Sequence, residues 1–188
     1  ENYNIAHTLA EMAKLQPEEI GLVEKVFGGQ RSWTFRDLDE HASAYAHGLK
    51  AIGITSEDRT VLMVRPSMNF ICLTFALFRL GAPVILIDPG MGYRNLLRCI
   101  ASIKPTAFIG VPKAIYSGFL LDDFFSVSKT VCVGPGFGIL GKSLKGLADF
   151  SKGPFPARDT RKEDLAAIIF TTGSTGPPKG VQYQHGNF

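Results

Sequence analysis

Short apolar runs recur along the sequence from residue 61 onward: Val61–Val64, Pro83–Ile87, Ala107–Ile109, Thr130–Val133 and Ala166–Phe170. Helix-like segments separate them. A strand with one wet face alternates polar and apolar residues, whereas a run that is apolar at every position needs cover on both faces. Buried strands interleaved with amphipathic helices belong to a parallel sheet with helices packed on either side. The expected fold class is therefore α/β, a doubly wound, mostly parallel sheet.

The segments between the runs support this. Met68 to Leu80 has Phe70, Leu73, Leu77 and Leu80 at helical spacing and Gly81 as a stop. Arg94 to Ile103 reads as a second helix with Leu96, Leu97 and Ile100 inward. Before the series, Ile5, Leu9 and Met12 mark a helix limited by Pro17, and Ile20–Phe27 and Arg31–Phe35 read as strands joined by a turn at Gly28-Gly29. Thr34 is placed to cap the next helix, with Asp37 completing a capping box. That helix carries Leu38, Tyr45, Leu49 and Ile52 along one side and ends at Gly53, a natural left-handed stop. Lys152 to Arg161, with Pro154 and Pro156, reads as a linker-like loop. No internal repeat or low-complexity tract is present.

Composition removes several classes of function. A hydrophobic fraction of 45% with 20% charged residues is that of a folded globular chain, not a disordered one. The formal net charge of +3 is small and the Lys and Arg residues are scattered, which argues against a nucleic-acid partner. The most apolar stretch, Phe70 to Ile87, is broken by Arg79, Gly81 and Pro83, whereas a membrane span needs about 20 apolar residues. No integral membrane segment is expected. Cys72, Cys99 and Cys132 lie far apart without a CxxC pair, as in reduced, buried cysteines of a cytoplasmic protein.

The sharpest chemical signal follows the last apolar run. Thr171-Thr172-Gly173-Ser174-Thr175-Gly176-Pro177-Pro178-Lys179-Gly180 combines three glycines, four hydroxyl residues and a lysine. Glycines let backbone amides turn toward an anion, hydroxyls donate hydrogen bonds, and lysine adds positive charge, which together suit a polyphosphate. The candidate nucleotide-binding residues are Thr171, Thr172, Gly173, Ser174, Thr175, Gly176 and Lys179. The pattern is not a Walker A loop, because Lys179 follows Pro178 and precedes Gly180 instead of a Ser or Thr. No catalytic residue and no metal ligand is assigned.

This segment resembles the phosphate-loop signature of the adenylate-forming superfamily, which includes acyl-CoA synthetases, luciferases and nonribosomal adenylation domains. Val181-Gln182-Tyr183-Gln184-His185-Gly186-Asn187 is similar to that family's continuation, a short strand and then His-x-Asn opening a helix. The resemblance implies ATP and Mg2+ as cofactors and a small-molecule acid as partner. The carboxylate attacks the α-phosphate of ATP, pyrophosphate leaves and an acyl-adenylate forms. It places Thr171, Ser174 and Thr175 on phosphate and gives Lys179 the support of the loop or the phosphates.

Val64-Arg65-Pro66-Ser67, Phe75-Ala76-Leu77-Phe78-Arg79-Leu80-Gly81-Ala82 and Ile87-Asp88-Pro89-Gly90 resemble the olefin β-lactone synthetases within the superfamily, as do Arg94–Cys99 and Ala107–Gly110. Where a common acyl-CoA synthetase pattern has Asn-Pro, this chain has Asp88-Pro89-Gly90. The subgroup implies a 2-alkyl-3-hydroxy acid whose own hydroxyl displaces AMP to close a four-membered lactone. The alternatives are a fatty-acyl-CoA or fatty-acyl-AMP ligase and a non-catalytic nucleotide-binding module.

Other features are expected to be structural. Asp88 caps a turn, and Arg94 and Arg98 are solvated. Gly136-Phe137-Gly138-Ile139-Leu140-Gly141 matches GxGxxG, but the segment after it is short for a crossover helix, so no dinucleotide site is expected. His7, His41 and His47 lack metal-ligand spacing; His185, near the phosphate loop in sequence, is read as a helix start. The chain does not begin with Met and stops soon after its main motif. Residues 1–188 are expected to be a partial N-terminal AMP-binding domain, inactive alone. The acyl pocket, adenine and ribose contacts, acidic magnesium ligand and C-terminal lid would lie in the remainder of the chain.

Overall fold

The computed structural model describes residues 2–119, 126–135, 141–171 and 178–188. The chain opens with helix α1 (Ala6–Leu15) and a hairpin of β1 (Ile20–Val26) and β2 (Gly29–Thr34). Helix α2 (Phe35–Ala51) follows directly. Its capping box is formed: Asp37 N–H donates to Thr34 Oγ1 at 3.1 Å, and Thr34 N–H donates to Asp37 Oδ2 at 2.9 Å. After Gly53 (φ +86°) come β3 (Thr60–Met63), α3 (Met68–Leu80), β4 (Val84–Ile87), α4 (Tyr93–Ile103), β5 (Ala107–Gly110), α5 (Pro112–Phe119) and β6 (Lys129–Cys132). A two-residue β7 (Lys142–Ser143), the one-turn α6 (Leu144–Leu147), β8 (Leu165–Thr171) and β9 (Lys179–Gln184) complete the order.

The main sheet has the order β7-β6-β5-β3-β4-β8-β9. Its pairings are parallel except for β9, which runs antiparallel to β8. Successive residues of one strand enter different cores, as the period of two requires. Leu62, Val84, Ile109 and Val131 pack with Leu38, Leu49, Leu73 and Leu77 of α2 and α3. Val61, Ile85, Phe108 and Cys132 pack with Cys99, Ile100 and Ile103 of α4 and Ile115 of α5. The doubly wound α/β reading is thereby observed.

Two local expectations need correction. Leu97 is only half-buried, while Cys99 and Ile103 are buried beside Ile100. A helical stripe through Leu96 continues at three and four residues, which selects these positions over Leu97. The stretch from Lys152 to Arg161 is irregular but is a docked strap, not a linker. Phe155 and Ala157 pack on the core, Phe155 N–H donates to Ser43 Oγ at 3.2 Å, and Arg158 N–H donates to the Arg79 carbonyl at 2.8 Å. His185 lies at the opposite end of β9 from Lys179, roughly 20 Å away at about 3.4 Å per strand residue.

Buried polar groups are paired where the packing needs them. Arg79, buried under the strap, donates to the Asp39 carboxylate and to Ser43 Oγ. Asp58 accepts from Lys129 Nζ at 2.7 Å and Thr106 Oγ1 at 2.8 Å, tying together the chain entering β3, β5 and β6. Cys72, Cys99 and Cys132 are free and buried, and burial pushes the Cys72 thiol up to about 12. No helix among the described residues is long and apolar enough to cross a membrane.

Candidate active site at the carboxyl edge of the sheet

From β3 the chain crosses through α3 over one face toward β4, and from the neighbouring β5 it crosses through α5 over the other face toward β6. Neighbouring strands whose exits part in this way leave a crevice at their carboxyl ends, the position where open α/β sheets gather ligands. A cavity of about 680 Å3 occupies it. Met63 to Pro66 at the end of β3, Ile87 and Asp88 at the end of β4, Val111 and Lys113 beyond β5, and Ile169 and Phe170 of β8 all line it.

The candidate nucleotide loop leaves from the same edge. Ile87 and Phe170 are register partners, which sets Thr171 next to the end of β4. Across the β8–β9 ladder, Thr171 pairs with Lys179, so these two candidates face each other at the base of the turn, both exposed. Gly180 makes this approach possible, since a Cβ there would meet the Phe170 ring at 3.0 Å. The other candidates, Thr172, Gly173, Ser174, Thr175 and Gly176, lie outside the described residues.

Two contacts brace the crevice. Val111 N–H donates to the Met63 carbonyl at 3.2 Å, joining the exits of β3 and β5. Glu24 of the hairpin accepts from Trp33 Nε1–H at 3.1 Å and from the Met68 N–H at 2.9 Å. Met68 begins α3, and its amide is one of those a helix leaves unpaired at its N-terminus. Glu24 therefore holds the hairpin against the loop that carries Arg65 and Pro66.

Asp88 behaves as the turn cap expected of it, accepting from Gly90 N–H at 2.8 Å, although it also borders the cavity. Arg94 and Arg98 are exposed. His185 begins a 3-10 turn (His185–Asn187), and its ring packs edge-on to Phe78 with centroids 5.9 Å apart. Its Nδ1 accepts from Ile5 N–H at 3.3 Å, and burial pushes its pKa down while Asp164 acts in the opposite sense. It clamps the N-terminal segment, away from the site. Of Gly136–Gly141, only Gly141 is described; the next elements are β7 and the one-turn α6, too short for a dinucleotide crossover helix. Among the described residues no three His, Cys, Asp or Glu side chains converge on a metal position.

Sequence reading missed Arg65 and Lys113, the two cations lining the cavity. Their signal was available: each closely follows an apolar strand, and strand ends are where such folds bind.

The comparisons with known proteins agree with this fold. The AMP-binding enzyme family matches residues 9–188. The chain belongs to that family. It is 42% identical over 195 aligned residues to the olefin beta-lactone synthetase of Stenotrophomonas maltophilia and 38% identical to that of Xanthomonas campestris, covering 98% of this chain in each case. The chain spans 35% of the length of each of these relatives. Among solved structures, the anthranilate CoA ligase AuaEII in complex with anthranoyl-AMP superposes with a TM-score of 0.83 at 19% identity, over 98% of this chain and 35% of that one. At that identity the likeness shows the fold.

Proposed function

We propose that residues 1–188 are the N-terminal part of an AMP-binding domain in an enzyme that activates a carboxylic acid with ATP. The observation that carries this reading is the pairing of Thr171 with Lys179 at the carboxyl edge of the sheet, beside the crevice. The acid's carboxylate oxygen attacks the α-phosphorus, the bond to the bridging oxygen breaks, and pyrophosphate departs. Lys179 holds positive charge where negative charge accumulates on the leaving phosphates, and the hydroxyls and amides from Thr171 to Gly176 orient them. Such preorganised donors cost no reorientation during the reaction.

Magnesium spreads phosphate charge in chemistry of this kind. The described residues offer it no cluster, and Asp88 is engaged by Gly90, so no step is assigned to the ion here.

Two relatives near 40% identity named olefin beta-lactone synthetase support a 2-alkyl-3-hydroxy acid as substrate. The 3-hydroxyl oxygen attacks the activated carbonyl, its proton is lost, and AMP leaves as the lactone closes. No thiol takes part. The three free, buried cysteines accord with a reducing cytoplasm. The product decides between this and the acyl-CoA ligase reading. The longest chain its reading frame encodes is expected to form lactone and AMP without CoA; a thioester formed only when CoA is supplied would replace the lactone reading.

A further inference from the structure

Leu86 and Ile169 are register partners on the adjacent strands β4 and β8, and both are only half-buried. Val64, Phe70 and Leu96 around them are half-buried too. These side chains wall the 680 Å3 cavity, a size within the range of about 300–1,000 Å3 typical of small-molecule sites. The polar side chains lining it are Arg65, Asp88, Lys113 and Ser117. The apolar wall itself offers no hydrogen-bond partner, and an aliphatic chain needs none. Two cations against one carboxylate leave net positive charge, which attracts an acid.

We propose that this cavity takes an aliphatic arm of the substrate acid. It suits an acid with two arms. This rests on the acid-activating reading above and adds where one arm lodges. Phe170 closes the cavity one residue before Thr171, so an arm held here lies next to the start of the phosphate loop.

The test uses the longest chain the reading frame encodes, with Leu86→Trp and Leu96→Trp as two independent ways to fill the space. Each variant is checked for wild-type thermal unfolding. ATP–pyrophosphate exchange is measured with 2-alkyl-3-hydroxy acids of short and long 2-alkyl arm, and the readout is the ratio of the two KM values. Each buried methylene is worth about fourfold, so an arm longer by about four methylenes should lower the wild-type KM on the order of 100-fold. Both variants are expected to bring that ratio below about tenfold. Binding of cis-parinaric acid, followed by its fluorescence, is a separate readout and should weaken in both variants. An unchanged ratio or unchanged probe binding in a folded variant overturns the proposal. Probe binding that the variants weaken, without exchange from the wild type on any acid, would contradict acid activation while upholding the cavity.

Discussion

Lys179 is exposed on β9, so its replacement separates a nucleotide site from a polar turn. Lys179→Ala should lower acid-dependent exchange by about 100-fold, the cost of deleting one preorganised charge stabiliser, with a thermal midpoint unchanged. A lowered midpoint with the rate retained would make the motif a structural turn. His185 makes the opposite kind of prediction, since it is buried and distant from the chemistry. Its folded-state pKa lies below the ordinary 6.5 because burial disfavours the imidazolium. The unfolded chain therefore takes up the proton first as pH falls. The stability it supports is full above about pH 6.5 and declines below that until the folded-state pKa is passed. Urea midpoints at about pH 7.5 and about pH 5.5 should differ more for the wild type than for His185→Gln, which cannot titrate. Equal differences in the two proteins would remove His185 from the acid response.

Among the elements, the hairpin is the one whose attachment bears on the site. Glu24→Ala removes the acceptor of both Trp33 Nε1–H and the Met68 amide, at a cost of about 1–3 kcal/mol. Hydrogen exchange at the Met68 amide should quicken in that variant; unchanged protection would show that the carboxylate does not anchor α3. How far the elements could be read in advance depended on their chemistry. The central strands were legible because burial on both faces leaves no room for polar residues, and α2 was legible through its Thr34–Asp37 box. Helix α5 was not read, since buried Ile115 is followed by the exposed Tyr116 and carries no clear stripe. Strand β7 offers two exposed residues and no pattern. The strap was misjudged for a different reason: prolines announce irregular backbone but do not reveal whether it docks, and here Phe155 and buried Arg79 decide that it does.

At the scale of the molecule, the proposed phosphate motif could be picked out because its residues are consecutive, while the cavity could not, because it gathers the ends of β3, β4, β5 and β8 from distant parts of the chain. Residues 1–188 span 35% of the length of the two olefin beta-lactone synthetases, and the proposal above makes them part of a longer domain. ATP titrated onto this segment by calorimetry should bind weakly or not detectably, with no turnover; micromolar affinity would show that the segment carries a complete nucleotide site. The central claim, that this edge activates an acid, is tested most directly by ATP–pyrophosphate exchange in the longest encoded chain. The account predicts exchange that requires acid and proceeds with a 2-alkyl-3-hydroxy acid. Absence of exchange with both that acid and a plain fatty acid would contradict it.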